Sequence, residues 1–438
     1  MDTEKLKKKI LDLAIRGKLV PQDPNGETAQ ELIKKIQEEK TKLIKEGKIK
    51  PIKDESYIFK SSDNSYYEKI GDTIKCIDNE IPFTIPSGWT WVRMPSIGIV
   101  KGGLTYKPSE IIENGTPVLR STNIVNGKII LNDLVRVNSK IRDSQYIETN
   151  DILICARNGS KALVGKCAVF DIETSEKYSF GAFMLAYKSP FFKYVYYYLN
   201  SYLFRNLLNK DDTKQINQVT LSTLYQTLIP FPPIKEQEQI TTLLDRLMSS
   251  ISTIEVNKNK IASIVSSAKK KILDNIFGEN SSYKSYYKTI NIQEVCSLEN
   301  GTKSNKGKYP YLEAKVIRGT KNPNIVEQGI FINKGTRIIL VDGENSGEIM
   351  IAPFDGYMGS TFKILFINTN LINEEFLSLF ILYKKQELKE SKTGSAIPHL
   401  NKKKFKEFEL IYPPIEDQTR IVNDIIKKFI LLDSICVS

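Results

Sequence analysis

The sequence holds a single histidine, His399, and five scattered cysteines with no CxxC spacing. That scarcity removes the usual ligand sets for a structural zinc ion. Cys76, Cys155, Cys167, Cys296 and Cys436 are odd in number and far apart, so no disulfide framework is predicted either. Long apolar runs are also missing. Nothing approaches the ~20 residues of a membrane-spanning helix, and the lysine-rich N-terminus has no signal-peptide core. These absences predict a cytoplasmic protein with reduced thiols and no membrane partner.

What the chain does have is positive charge and repetition. Its 438 residues carry a formal charge of +12, and 41% of them are hydrophobic, enough for two or three ordinary cores. Residues 86–231 hold 17 basic against 11 acidic side chains, and residues 285–410 hold 18 against 14. Two separate basic regions fit an anionic partner such as nucleic acid.

One pattern occurs twice. Pro232-Pro233-Ile234-Lys235-Glu236-Gln237 recurs as Pro413-Pro414-Ile415-Glu416-Asp417-Gln418. The far end of the same segment, Lys269-Lys270-Lys271-Ile272-Leu273-Asp274, recurs at the start as Lys7-Lys8-Lys9-Ile10-Leu11-Asp12. The middle copy is intact, and the termini read as the two parts of a second one. Only residues 258 to 262 lack a counterpart. Such a closed repeat predicts pseudo-two-fold symmetry.

The middle segment has a heptad pattern. Ile240, Leu247, Ile254, Ile261, Ala268 and Asn275 fall at a; Leu244, Ile251, Lys258, Val265 and Ile272 fall at d. Mostly apolar at both positions, it predicts a coiled-coil helix over 235–277, roughly 65 Å long at the standard rise. Ile421, Ile425, Leu432, Ile435, Leu6 and Ile10 keep the same phase at the termini, with Lys428 the one break.

The rest of the chain divides around these helices. Helices are predicted at 2–16, closed by Gly17, and from the Thr28/Glu31 capping box to Glu46. The polar, net acidic stretch 51–85 reads as a linker. Region 86–231 opens with short β-rich runs, Val118-Leu119, Ile129-Ile130, Ile152 to Ile154 and Val164 to Phe170, then turns helical from Tyr194 to Leu208. The tyrosines at 194 and 196–198 have helical spacing and read as packing residues. Region 285–411 repeats the outline. Thr116–Leu119 answers to Tyr309–Leu312, Ile152–Ile154 to Ile338–Leu340, and Ile216–Val219 to Ile397–Leu400, with offsets of 193, 186 and 181. The falling offset places the differences in the loops. The fold class is therefore α+β, with segments 1–50, 51–85, 86–231, 232–280, 285–411 and 412–438.

No active site is apparent. Gly301 to Tyr309 resembles a phosphate loop, but it is one residue too long and Tyr309 replaces the needed hydroxyl. Asn322-Pro323-Asn324 is not the Asn-Pro-Pro-aromatic motif of adenine methyltransferases, and no glycine-rich cofactor fingerprint occurs. Glu313-Ala314-Lys315 imitates the end of a nuclease motif without its aspartate.

The opening Leu6-Lys7-Lys8-Lys9-Ile10-Leu11-Asp12-Leu13-Ala14-Ile15-Arg16-Gly17-Lys18-Leu19-Val20-Pro21-Gln22-Asp23-Pro24, the motif Ile85-Pro86-Ser87-Gly88-Trp89-Thr90-Trp91-Val92 and the two PPI-x-x-Q helix starts together resemble the specificity subunit of type I restriction–modification systems. The resemblance covers nearly the whole chain, although the second half lacks the Gly-Trp motif. It implies two similar mixed α/β target-recognition domains, held apart by two long antiparallel helices. It implies no catalytic role and no cofactor in this chain. The expected partners are double-stranded DNA with a split recognition site, two methyltransferase (modification) subunits that bind S-adenosylmethionine, and motor–nuclease (restriction) subunits. The subunit of a related combined restriction–methylation enzyme, or a coiled-coil protein-binding scaffold, are the alternatives.

On this reading, loops rich in Lys, Arg, Asn, Ser and aromatics are the candidate DNA contacts. In the first domain these are Lys101, Tyr106 and Lys107; Arg120, Ser121 and Asn123; and Arg157, Asn158 and Lys161. In the second they are Lys303, Asn305, Lys306 and Lys308; Lys315 and Arg318; and Asn345. An ordinary solvated turn is the competing reading for each. His399 reads as a turn or packing residue.

Overall fold

The computed structural model describes residues 2–47, 56–208, 218–391 and 399–437. They form two compact units, Met1–Glu255 and Val256–Ser438. The predicted matches at Ile216, Asn217, Ile397 and Pro398 lie outside the described residues.

The first unit begins with a helix, Thr3–Ile15, capped by the Asp2 carboxylate, which accepts from Lys5 N at 3.0 Å. Gly17 closes it at φ +66°, pressed so tightly against Pro86 that a Cβ there would lie 2.4 Å from the ring. The Thr28/Glu31 capping box starts the next helix, Ala29–Lys45. Residues expected to be linker are not one: Ser56–Lys60, Tyr66–Ile70 and Thr73–Cys76 form a three-stranded antiparallel sheet. Their acidic side chains misled because they serve as counter-ions. Arg93, buried beside this sheet, donates to Glu68 at 2.7 Å and to Glu80 at 2.7 Å.

Trp89 and Trp91 flank the start of strand Thr90–Arg93, which pairs antiparallel with Leu228–Phe231. Beyond it, a four-stranded antiparallel sheet runs in the order Cys167–Val169, Ile152–Cys155, Met184–Lys188, Ile99–Gly102. A second sheet has the order Tyr146–Ile147, Tyr178–Phe180, Ile111–Leu119, Val135–Val137, with its middle pair parallel. The predicted helical stretch is two helices, Phe192–Leu199 and Tyr202–Leu207, split at the capping residue Ser201. Its tyrosines pack: the hydroxyls of Tyr194 and Tyr198 donate to the carbonyls of Pro230 and Leu228.

The second unit repeats this plan. Thr289–Asn291 pairs with Glu409–Ile411. The antiparallel sheet runs Ile349–Ile351, Arg337–Leu340, Phe362–Ile367, Cys296–Glu299, in the same relative order. The parallel pair recurs as Tyr309–Leu312 with Gly356–Met358.

The 44-residue helix Ile234–Phe277 passes from one unit into the other. In the first unit, Ile240, Leu244 and Ile251 join a core with Ile10, Leu11, Ala14 and Ile15 of the N-terminal helix, and Lys7 pairs with Glu255 at 2.8 Å. In the second, Leu273, Ile276 and Phe277 join Ile421, Val422 and Ile425 of the C-terminal helix Ile415–Val437, and Lys269 donates to Asp433 at 2.7 Å. The heptad thus locates the ends well. At its centre Ile254 and Ile261 are 40% and 38% exposed, so the expected seam is not continuously buried among the described residues.

The recurrent PPI-x-x-Q has a local cause. The Gln237 amide donates to Pro232 O at 2.7 Å, and Gln418 donates to Pro413 O at 2.8 Å. Each buried glutamine fastens the chain to the first turn of its own helix. The missing Gly-Trp motif is also replaced in kind. Trp89 Nε1 donates to Glu236 at 2.7 Å; in the second unit the Tyr287 hydroxyl donates to Asp417 at 2.9 Å.

Candidate nucleic-acid interface

The predicted contact residues separate into those that face solvent and those that hold loops in place. Lys101 belongs to the second group. It is 8% exposed, and its ammonium lies 2.8 Å from both Glu148 and Asp151. A lysine neutralised inside the fold is not available to a phosphate, so the expectation for Lys101 is corrected. Hydrogen bonds from Lys101 and Lys188 hold the Glu148 carboxyl below its usual range. Asn123 is likewise structural at 1% exposed, donating to the carbonyls of Ile130 and Asn132 while accepting from Arg120 N at 2.9 Å.

The others in the first unit lie nearer the surface. Tyr106 packs at the edge of a small cluster with Leu104, Val118 and Val137, and Lys107 is exposed. Arg120 is half-buried and donates to Asp133 O at 3.1 Å, leaving its Nε without a hydrogen-bond partner. The Asn158 amide donates to Ser121 Oγ at 3.2 Å, joining two of the three loops. Arg157 and Lys161 are exposed, and the Arg157 guanidinium lies 5.7 Å from the centre of the Phe183 ring.

In the second unit Lys303, on the short strand Lys303–Ser304, and Asn305, Lys306 and Lys308 just after it are all exposed. Lys306 N donates to the Tyr357 hydroxyl at 2.8 Å, and its ammonium sits 4.3 Å over the Phe331 ring. Lys308 makes a loose ion pair with Glu327 at 3.7 Å. Lys315 is exposed on the short helix Ala314–Ile317; Arg318 follows it and pairs with Glu348 at 2.7 Å. Asn345 is exposed in the next turn.

The turn Gly181-Ala182-Phe183 was missed by the sequence reading, and the predicted loops of the first unit meet there. Gly181 N donates to Leu119 O at 2.9 Å, beside Arg120. Gly103 comes so near that a Cβ on it would lie 2.0 Å from Gly181 O. Ala156 N and Arg157 N both donate to Phe183 O, at 2.9 and 3.1 Å. Phe183 nevertheless remains 61% exposed. An aromatic after Gly-Ala between two β-rich runs was the available signal. A cleft of about 1750 Å³, lined by Ile36, Leu43, Ile97, Val100, Phe191 and Phe192 among others, contains none of the candidate residues.

Among the described residues, no group of His, Cys, Asp and Glu is placed to hold a metal ion, and no helix is long and apolar enough to cross a membrane. Residues 86–264 and 284–435 match the family model of the type I restriction modification DNA specificity domain. The chain belongs to that family. Its relatives include the specificity subunit of type I restriction enzyme EcoAI from Escherichia coli, 32% identical over 60% of this chain and 42% of that one. The EcoKI specificity subunit of Escherichia coli strain K12 is 27% identical over 53% of this chain and 55% of its own length. The chain thus spans about half the length of these curated relatives. A solved structure from work on assembly and conformational transition of the type I R-M system shares the fold, at TM-score 0.62 and 17% identity over 81% of this chain and 93% of that one. Within this family, the two matched segments each contain one set of candidate loops.

Proposed function

We propose that the chain is the non-catalytic DNA-reading subunit of a type I restriction–modification complex. Each unit reads one half of a split double-stranded site. The continuous helix sets the gap between the halves. Two modification subunits dock on the chain, bring S-adenosylmethionine and methylate adenine; restriction subunits supply the motor and nuclease.

The observation that carries this reading is one scaffold used twice with different exposed side chains. Repeated strand order and repeated helix-start hydrogen bonds keep the backbone constant, while the exposed side chains differ: Arg157 and Lys161 in one unit, Asn345 at the matching turn of the other. Lysines and arginines supply sequence-independent phosphate contacts; side chains at groove depth discriminate bases.

The test is a salt titration of DNA affinity for the chain assembled with its modification subunits. Affinity should fall steeply with salt, by about 0.9 log units per decade for each phosphate neutralised. Lys161→Ala and Lys306→Ala should each lower that slope by about one contact and weaken all sequences alike. A protein-binding scaffold would give a flat line.

A further inference from the structure

We propose that Phe183, Arg157 and Gln218 form the base-reading cassette of the first unit, and that Thr361, Asp342 and His399 occupy the same three places in the second. The inference rests on the DNA-reading function proposed above and names the residues that would carry it.

The two places are built from matching backbone bonds. In the first unit Gly181 N donates to Leu119 O, Met184 N to Gly181 O, Ala156 N to Phe183 O and Val219 N to Ala156 O, at 2.6 to 2.9 Å. In the second, Gly359 N donates to Leu312 O, Phe362 N to Gly359 O, Val341 N to Thr361 O and Leu400 N to Val341 O, at 2.8 to 3.2 Å. Arg157 bridges Gln218 antiparallel in one unit, and Asp342 bridges His399 antiparallel in the other. These four bonds and the bridge recur in both units; Arg157 N adds a fifth bond, to Phe183 O, in the first.

What the frame presents is not the same. The first unit offers an exposed aromatic ring with a guanidinium beside it, and an exposed amide at Gln218. The second offers a hydroxyl and an imidazole whose Nδ1 lies 2.7 Å from the Asp342 carboxylate. Each set has its own readout chemistry. Arginine pairs bidentately with guanine, glutamine with adenine, and a phenyl ring meets the thymine methyl. Aspartate accepts from the cytosine amino group. A carboxylate facing a polyanion is costly unless it finds such a donor, so Asp342 is suited to base edges and unsuited to phosphates. Two N–H groups hold the Phe183 carbonyl, so the backbone that carries the exposed ring is fixed in place and less ordering is needed when it meets a base.

The chain, assembled with its modification subunits in a host that lacks other DNA methylation, would be tested by sequencing the modified bases. Wild type should give a two-part motif. Phe183→Ala and Arg157→Ala should relax one and the same half, with discrimination at a base falling about tenfold or more. Thr361→Ala and Asp342→Asn should relax only the other half. The untouched half reports that each variant is folded and assembled. Competition binding with single-base-substituted duplexes provides a second measurement for any variant whose methylation is too weak to score. Both halves unchanged in Phe183→Ala and Arg157→Ala, or an equal loss on every duplex, would overturn the cassette while leaving the DNA-reading function standing. Absence of any two-part motif for wild type would remove both.

Discussion

At the scale of single residues, the buried charges decide how the first unit responds to acid. Burial alone would raise the Glu68 and Glu80 carboxyls, but hydrogen bonds and charge from Arg93 outweigh it and both end below the usual range. Groups with lowered folded pKa values stabilise the fold above their unfolded value, about 4.3, and lose that contribution as pH falls through the folded one. Stability measured by urea unfolding should therefore decline below about pH 4. Arg93→Met leaves the buried Glu68 carboxylate without its cation, and Glu80 with Lys75 alone, and should cost about 3–5 kcal/mol near neutrality. Unlike wild type, the variant should recover as pH falls, because its carboxyls neutralise; a gap that does not narrow in acid contradicts the ion-pair account. This network was hidden in sequence because Glu68, Glu80 and Arg93 sit on separate elements. The same limit explains Lys101 and Asn123. Residue type marked them as DNA contacts, and only tertiary partners reveal them as internal. Arg157 and Lys306 are exposed among the described residues and so remain candidates.

At the scale of elements, local signals were the most legible. The capping box at Thr28, the glycine at 17 and the proline-led helix starts all act through neighbours within a few residues, and each is present. The heptad correctly placed Ile240, Leu244 and Ile425 in cores but not the exposed Ile254 and Ile261, since periodicity says which face is apolar and not whether anything covers it. The strands at 56–76 were lost because polar alternation with few aliphatics looks like solvated chain until its counter-ions are known. Gln418 gives an element-level test. Fully buried, it donates to Pro413 O and accepts from Asn373 N at 2.7 Å. Gln418→Leu strands both backbone groups and should cost about 2–4 kcal/mol, read as an earlier unfolding midpoint. Hydrogen exchange should localise the loss to residues 415–437 and 368–376; loss confined to the first unit would contradict the assignment.

At the scale of the molecule, the repeat was visible because both copies keep their landmarks, and the loop chemistry was not, because offsets falling from 193 to 181 only say that lengths differ. The proposed gap-setting role makes a length prediction. Removing residues 256–262, a full heptad, shortens the helix by about 10 Å while nearly preserving its phase. At about 3.4 Å per base pair, the preferred gap between half-sites should shrink by about three base pairs with both half-sites intact. Methylation mapping reads this directly, and an altered half-site with an unaltered gap would refute the helix as the measure.

Every side chain from Val256 to Ile264 is exposed, although helix runs through them without interruption. A crossover between two related chains in this stretch cuts no buried side chain and keeps each lobe's hydrophobic interior from a single parent. Such chimeras should fold as readily as either parent, so new pairings of recognised sequences would be reachable by exchange of halves, with no compensating substitution required.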